Sequence, residues 1–498
     1  MWYLRRDELE AALRTPQSLY HRRRHLRACD GQGIRERRIR RLCLEKARHL
    51  GGVWDPDRRY PGVRDNNSVK SYAFSDFPYP ESPELYPTGE RIYDYLKAYA
   101  EHFDLLPKIH FSTTVEKVSK SNAPDLPEFK VVTVSSEHVR SERFFDFVVV
   151  CNGICSTPSV PSFEGADGFE GQIIHSSEFN DTEVVRGMKV VVVGAGKSAF
   201  DCAETAAKHA SSTTLVFRRP YWMAPRFLGR ATLDQVWFNR FAEVWIAYHT
   251  LSKGERLLHG PGRPVVDAWW SLISLIARKA FRMPAELTPK KFPRHLEKGG
   301  VVDAFYDKSN SGAIAYEKAS IKQVAGPKHI ELDNGKRLDV DVIICATGWS
   351  QVSTLLDTGA KVRADGNWEL YRNILPPDEP HLGFIGYSSS LACQLTAEVA
   401  AHWPSDHFSG KIVLPPRSEM EKSIDKVLSW AQRTFPYAAN GYHLGPFVSH
   451  YVDELLGDMN LETHRSESLL AEFFHPNFPS KYEGVTEERR RRGTSPRG

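Results

Sequence analysis

The sequence predicts an α/β fold of two Rossmann-like domains, one inserted within the other, and three stretches carry that prediction. KVVVVGAGKSAFDCAETAAKHA (Lys189–Ala210) reads as a strand of β-branched residues, a glycine turn and a helix, and TTLVFRR (Thr213–Arg219) as the next strand, which together make a βαβ unit. On either side of it, FDFVVVCNG (Phe145–Gly153) and LDVDVIICATGW (Leu338–Trp349) are apolar strands that each run into a glycine. Two strands of one kind bracketing the βαβ unit place the edges of the inserted domain near residues 160 and 335.

A chain of 498 residues, 41% apolar, has room for about three domains of ~150 residues. Its 66 basic and 62 acidic side chains leave a net charge of +4, too near balance for a field that grips a polyanion, so nucleic acid is not an expected partner. Seven cysteines, few and odd in number, suit a reducing compartment, and the cytoplasm is the expected location. The start, MWYLRRDELE, is charged throughout, and no run reaches the ~20 apolar residues of a membrane span. The longest candidate, AWWSLISLIA (Ala268–Ala277), followed by Arg278 and Lys279, suits a buried helix or a substrate lid, with peripheral membrane contact as the alternative. The tail TEERRRRGTSPRG reads as a disordered, solvated end.

In the glycine loop, Gly194 permits the tight turn, Gly196 lets a pyrophosphate approach the backbone, and Ala199 is the small residue that packs helix on strand. The helix start, with Ser198 in its first turn, offers N–H groups and a positive dipole end to phosphates. Arg218 and Arg219 end the second strand where an NAD site would place a carboxylate, which points to the 2′-phosphate of NADP. Lys197 adds to that charge. CLEKARHLGGVW (Cys43–Trp54) reads as the end of another such strand: Glu45, followed by Lys46, can accept from an adenosine ribose, and Gly51 and Gly52, before Trp54, open a turn for a cofactor.

FEGQIIHSSEF (Phe169–Phe179) resembles the FxGxxxHxxx(F/Y) signature of the flavin-containing monooxygenases at Phe169, Gly171, His175 and Phe179. GGVW (Gly51–Trp54), AFSDFPYP (Ala73–Pro80), GAGKSA (Gly194–Ala199) and CATGW (Cys345–Trp349, with Thr347 and Gly348) follow in that family's order, over roughly residues 42–400. The resemblance implies FAD on one domain and NADPH on the other. It also implies hydride transfer to the flavin, a C4a-hydroperoxyflavin, and oxygen transfer to a nucleophilic N- or S-containing small molecule. His175 then positions the linker between the domains. The family's asparagine before the DFP segment falls on Asn67 or Asn66, with the spacing to YAFSDFP favouring Asn67; an amide can steady a reactive oxygen without titrating. A Baeyer-Villiger enzyme is the near alternative, although its signature ends differently from Phe179-Asn180. Cys151 and Cys155 lack the spacing of a redox pair. No metal site is expected.

A family member should begin with a strand and a glycine loop for the FAD phosphates, where this chain has YHRRRHLRACDGQ (Tyr20–Gln32). Read one nucleotide later, codons for that stretch can spell IIGAGTSGLATA. Residues 1–41 are therefore expected to be an anomalous, frame-shifted segment. The chain would continue as a first FAD-binding part (42–160), an NADP-binding domain (161–335) with an apolar insertion (226–300), a second FAD-binding part (336–440) and a C-terminal extension (441–498). Without the FAD phosphate loop, a catalytically dead NADP-binding protein is the further alternative.

Overall fold

The computed structural model describes residues 42–80, 84–123, 125–292, 300–302, 304–350, 355–364, 366–436 and 443–494. The frame-shift reading of residues 1–41 lies outside them. At the centre is a five-stranded parallel sheet in the order Ala315–Lys318, Ser212–Phe217, Lys189–Val193, Val342–Cys345, Gln172–His175. Val190, Val191 and Val192 are buried, as a parallel strand covered on both faces requires. One face is covered by the helix Lys197–Ala206, which turns Ala199, Phe200, Cys202, Ala203 and Ala206 inward at helical spacing. Phe200 stacks on Phe305 at 3.7 Å between centroids. The other face is covered by an antiparallel sheet, Ile321–Gly326, His329–Leu332 and Arg337–Asp339, whose Ile330 and Leu332 meet Val191, Val216 and Ile343.

The strand Val342–Cys345 pairs with Lys189–Val193 on one side and Gln172–His175 on the other. It therefore belongs to the central sheet, and the domain edge expected near residue 335 falls beyond it. The chain crosses between domains at Thr157–Pro158 and Trp349–Ser350, which pair antiparallel with each other. The stretch read as one strand, Phe145–Gly153, is divided: Arg140–Phe145 closes an antiparallel meander with Phe129–Ser135, and Val148–Val150 starts afresh. The charged Asp146 separates the two.

Around the meander, Cys43–Leu44 pairs in parallel with Ile109–His110, and Val148–Val150 with Leu382–Phe384. Among the described residues these remain two separate pairs. Val148, Val149 and Val150 are each only half-buried, unlike the valines of the central sheet.

The apolar insertion folds as the helices Leu233–Trp237, Arg240–Glu243, Lys253–His259 and Arg263–Phe281. Phe238, Ile246, Tyr248, Val266 and Trp270 share a core with Leu395, Trp403, Tyr451 and Leu455 of the C-terminal helices, so the insertion is part of the structural core. The helix Arg263–Phe281 buries only Val266, Trp270 and Ser274 and leaves Leu272, Leu275 and Ile276 exposed, so burial of that segment is one-sided. Among the described residues no helix is long and apolar enough to cross a membrane.

The arginine tail differs from expectation. Val485–Thr494 is a helix, and Val485, Thr486 and Arg489 face inward. Arg489 is held by the Asp406 carboxylate, which replaces the water a solvated arginine would have.

Candidate functional site

Lys189–Val193 delivers the chain to Gly194, whose φ is +137°. A Cβ there would stand 2.5 Å from the Ala346 carbonyl oxygen and 3.2 Å from the Ala199 Cβ. Only glycine fits between two strand ends and a helix at this distance. Gly196 caps the helix that follows, with Ser198 half-buried in its first turn. Free N–H groups at this helix start suit a pyrophosphate. Arg218 and Arg219 are both exposed just beyond the neighbouring strand. Lys197 is committed elsewhere: its ammonium pairs with Asp201, which also accepts from the Tyr60 hydroxyl at 2.9 Å. Burial pushes the Asp201 carboxyl up, and Lys197 opposes that push.

The signature is a latch. A Cβ on Gly171 would meet the Asp341 carbonyl oxygen at 2.2 Å and the Phe169 ring at 2.5 Å, so Phe169 lies over the place a side chain would take. Phe179 is fully buried in the core beneath the glycine-loop helix. His175 is also fully buried; its Nδ1 accepts from the Ser177 N–H at 3.2 Å, which leaves Nε2 to donate to the Gly348 carbonyl at 3.0 Å. Burial lowers its pKa, so the ring is neutral and joins strand end to strand end. The same Gly348 carbonyl accepts from Ser159 N–H at 3.0 Å, and the Thr347 hydroxyl donates to the Ser159 carbonyl. His175 thus ties the end of the strand Gln172–His175 to Gly348, just before the crossing at Trp349–Ser350.

Glu45 ends the strand Cys43–Leu44; its Oε1 accepts from Ala47 N–H at 2.9 Å, and Lys46 is exposed. Gly51 and Gly52 have φ of +110° and +60°. Trp54 donates to the Tyr72 hydroxyl, edge-on to its ring. Beyond them Arg58 donates to the Cys155 carbonyl at 3.1 Å and lies 5.1 Å over the Trp349 ring, which stands edge-on to His175 at 4.7 Å. Arg58, four residues past GGVW, thereby joins the CNGIC and CATGW segments, and CATGW meets the signature. The thiols of Cys155, Cys345 and Cys393 are pushed up by burial to about 11, about 12 and about 12, which suits packing and not thiolate chemistry.

The two asparagines point different ways. Buried Asn67 donates its amide to the Leu391 carbonyl at 2.6 Å. Half-buried Asn66 accepts from Val301 N–H at 2.9 Å through Oδ1. Asp65, just before them, is buried; Oδ1 accepts from Asn66 N–H at 2.7 Å, and Oδ2 has no hydrogen-bond partner among the described residues. Burial pushes its carboxyl up to about 7 against the pull of Lys197 and Arg226. Arg58, Tyr60, Asp65 and Asp234, which holds Ser68 and Ser71 beside the asparagines, carry no local signal in the sequence, because each acts on a segment distant along the chain.

The glycine cradle and the helix start fit a dinucleotide, and the exposed arginines beside them fit its 2′-phosphate. The Glu45 carboxylate and the positive-φ glycines fit a second nucleotide on the other domain. The sequence profile of the flavin-binding monooxygenase-like family matches residues 27–254 and 282–465. The chain is 28% identical to flavin-containing monooxygenase 1 of Homo sapiens over 466 residues, 88% of this chain and 84% of that protein. It is 26% identical to putative flavin-containing monooxygenase 2 of Arabidopsis thaliana, over 84% of this chain and 92% of that one. Its fold is similar to S-allyl-L-cysteine S-oxygenase from Allium sativum, with a TM-score of 0.57, 19% identity, and 91% and 88% of the two chains covered. The open structure of cyclohexanone monooxygenase matches at 0.62 and 18% identity, over 84% and 92%. The two-domain α/β fold, the glycine cradle and a profile match across most of its length agree, and the chain belongs to the flavin-binding monooxygenase-like family, an enzyme family that works with FAD and NADPH.

Proposed function

We propose that this chain uses NADPH, FAD and molecular oxygen to oxygenate a nucleophilic nitrogen or sulfur of a small molecule. The observation that carries the reading is the meeting of the asparagine turn with both domains: Asn67 bonds to Leu391 and Asn66 to Val301, while the charge of Lys197 in the glycine loop acts on Asp65. When bound, the flavin supplies hydride acceptance from NADPH and activation of oxygen.

The chain's own residues do the rest. Gly194, Gly196, Ser198, Ala199 and the helix start hold the NADPH pyrophosphate, and Arg218 with Arg219 reads its 2′-phosphate. Glu45, Lys46, Gly51, Gly52, Thr347 and Gly348 hold the flavin nucleotide, with Trp54 steadying the loop through Tyr72. Asn66 offers a half-buried amide N–H that does not titrate, with its carbonyl fixed by Val301, while Asn67 fixes the turn to Leu391. This gives Asn66 the contact role and Asn67 the holding role, the reverse of what spacing favours.

The ketone-oxidising alternative rests on the fold likeness to cyclohexanone monooxygenase. Curated relatives named flavin-containing monooxygenase and a signature ending Phe179-Asn180 favour nitrogen or sulfur instead. The test is NADPH-dependent oxygen uptake by the purified protein with N,N-dimethylaniline, methyl p-tolyl sulfide and cyclohexanone. N-oxide or sulfoxide is expected; lactone from cyclohexanone alone would move the assignment to the ketone class. A colourless protein that binds NADPH and consumes no oxygen would leave an NADP-binding protein without flavin chemistry.

A further inference from the structure

The asparagines sit at the mouth of a single helical turn, in which Ser71 N–H and Tyr72 N–H donate to the Ser68 carbonyl. One turn has no stability of its own, so its conformation is set from outside. Behind it lies one carboxylate. Asp234, 1% exposed, comes from the helix Leu233–Trp237 of the apolar insertion. Its Oδ2 accepts from Ser68 N–H at 3.1 Å and from the hydroxyls of both Ser68 and Ser71, and its Oδ1 accepts from Gln235 N–H at 3.1 Å. Three donors of one turn thus converge on a single buried oxygen.

The insertion and the residue that follows it grip the turn at two further points. Arg226 donates to the Asp65 carbonyl at 2.7 Å, and Val301 N–H donates to Asn66. Tyr86 braces both arms, donating to the Arg226 carbonyl and accepting from Leu233 N–H at 3.1 Å. A side chain needed only for volume here would be apolar, since a fully buried carboxylate is retained at a cost unless its donors need it.

We propose that Asp234 is the positioning residue of the asparagine turn, so that the apolar insertion sets where Asn66 and Asn67 present their amides. This rests on the reading that the turn serves oxygen transfer. It makes the segment that covers the site also the segment that aligns it: a shift of the helix Leu233–Trp237 is passed to Ser68 through one oxygen atom.

The test compares wild type, Asp234→Ala and Asp234→Asn in the full chain by hydrogen exchange with no cofactor added. Amides of residues 66–72 should exchange at least about tenfold faster in the alanine variant and to an intermediate degree in the asparagine variant, with residues 189–206 unchanged. Ser71→Ala, which deletes one donor and keeps the carboxylate, is the milder variant should Asp234→Ala not fold, and it should move exchange the same way. In the flavin-loaded enzyme the NADPH Michaelis constant should stay within about twofold, while hydrogen peroxide released per NADPH rises severalfold. Unchanged exchange over 66–72 in a folded variant overturns the proposal. So does a loosened turn that leaks no more hydrogen peroxide when Asn66→Leu does leak. If neither variant leaks, the oxygen-transfer reading of the turn fails, and with it the functional half of the proposal.

Discussion

Arg489 in the last helix and Asp406 in the helix Cys393–Phe408 form a two-point ion pair at 2.8 and 3.2 Å with both residues 4% exposed. The third guanidinium nitrogen donates to His402 Nδ1 at 2.7 Å. Removing one member of a buried pair strands the other charge. Arg489→Ala should therefore destabilise the protein by about 3 kcal/mol, the low end for such pairs, because Lys411 lies 3.5 Å from Asp406 and takes up part of the charge. Arg489→Met combined with Asp406→Leu should recover most of it. Urea unfolding of the three proteins checks this; a single variant no worse than the double one would deny the pair its role.

Arg218→Ala should raise the Michaelis constant for NADPH at least about tenfold and leave that for NADH nearly unchanged, since only NADPH carries the 2′-phosphate. Arg218 is exposed at its strand end, so stability should not move. Equal effects on the two cofactors, in steady-state kinetics, would remove the arginine from the site.

Asp65 gives stability a pH dependence of defined sign. Its folded carboxyl is raised by burial from an ordinary 3.8 to about 7, so the folded state holds a proton that the unfolded chain has released. Stability is then lost as pH rises from about 4 to about 7, by at most about 4 kcal/mol. Asp65→Asn removes the charge at nearly equal volume. It should raise the melting temperature most at pH 8 and distinctly less at pH 5, where only about a third of the loss has occurred. A gain of the same size at both pH values would mean that the carboxyl does not titrate in this range.

Replacing Tyr20–Gln32 by IIGAGTSGLATA should raise the FAD bound per chain, read by absorbance at the flavin band, and the melting temperature with it. A ligand that binds only the folded state adds RT ln(1 + [L]/Kd) to stability. Flavin content equal before and after the replacement would retire the frame-shift reading.

The sequence made some of this legible and hid the rest for physical reasons. Gly194, Gly196 and Ala199 act on neighbours within one turn, so their spacing declares them. The signature was visible as a pattern, but that His175 reaches Gly348, 173 positions on, depends on two distant strands pairing in parallel, which no local period encodes. The same blindness misplaced the domain edge: an apolar strand ending in glycine reads alike whichever sheet receives it. Arg489 was read as solvated because arginine is usually so; its inward position, one turn after Val485, becomes meaningful only with Asp406 opposite. Asn66 and Asn67 are adjacent, and only the fold tells them apart.

The paired crossings at Thr157–Pro158 and Trp349–Ser350 fix how the inner domain can travel. A module joined at one end explores a sphere whose radius its linker sets, and it dilutes whatever it carries. Tethered at both ends through two adjacent strands, this one is held by two connections that also bond to each other, and the Nε2–H of His175 on the Gly348 carbonyl adds a third tie beside them. A nucleotide bound on the inner domain would thereby meet the outer one at a local concentration set by geometry and independent of the bulk.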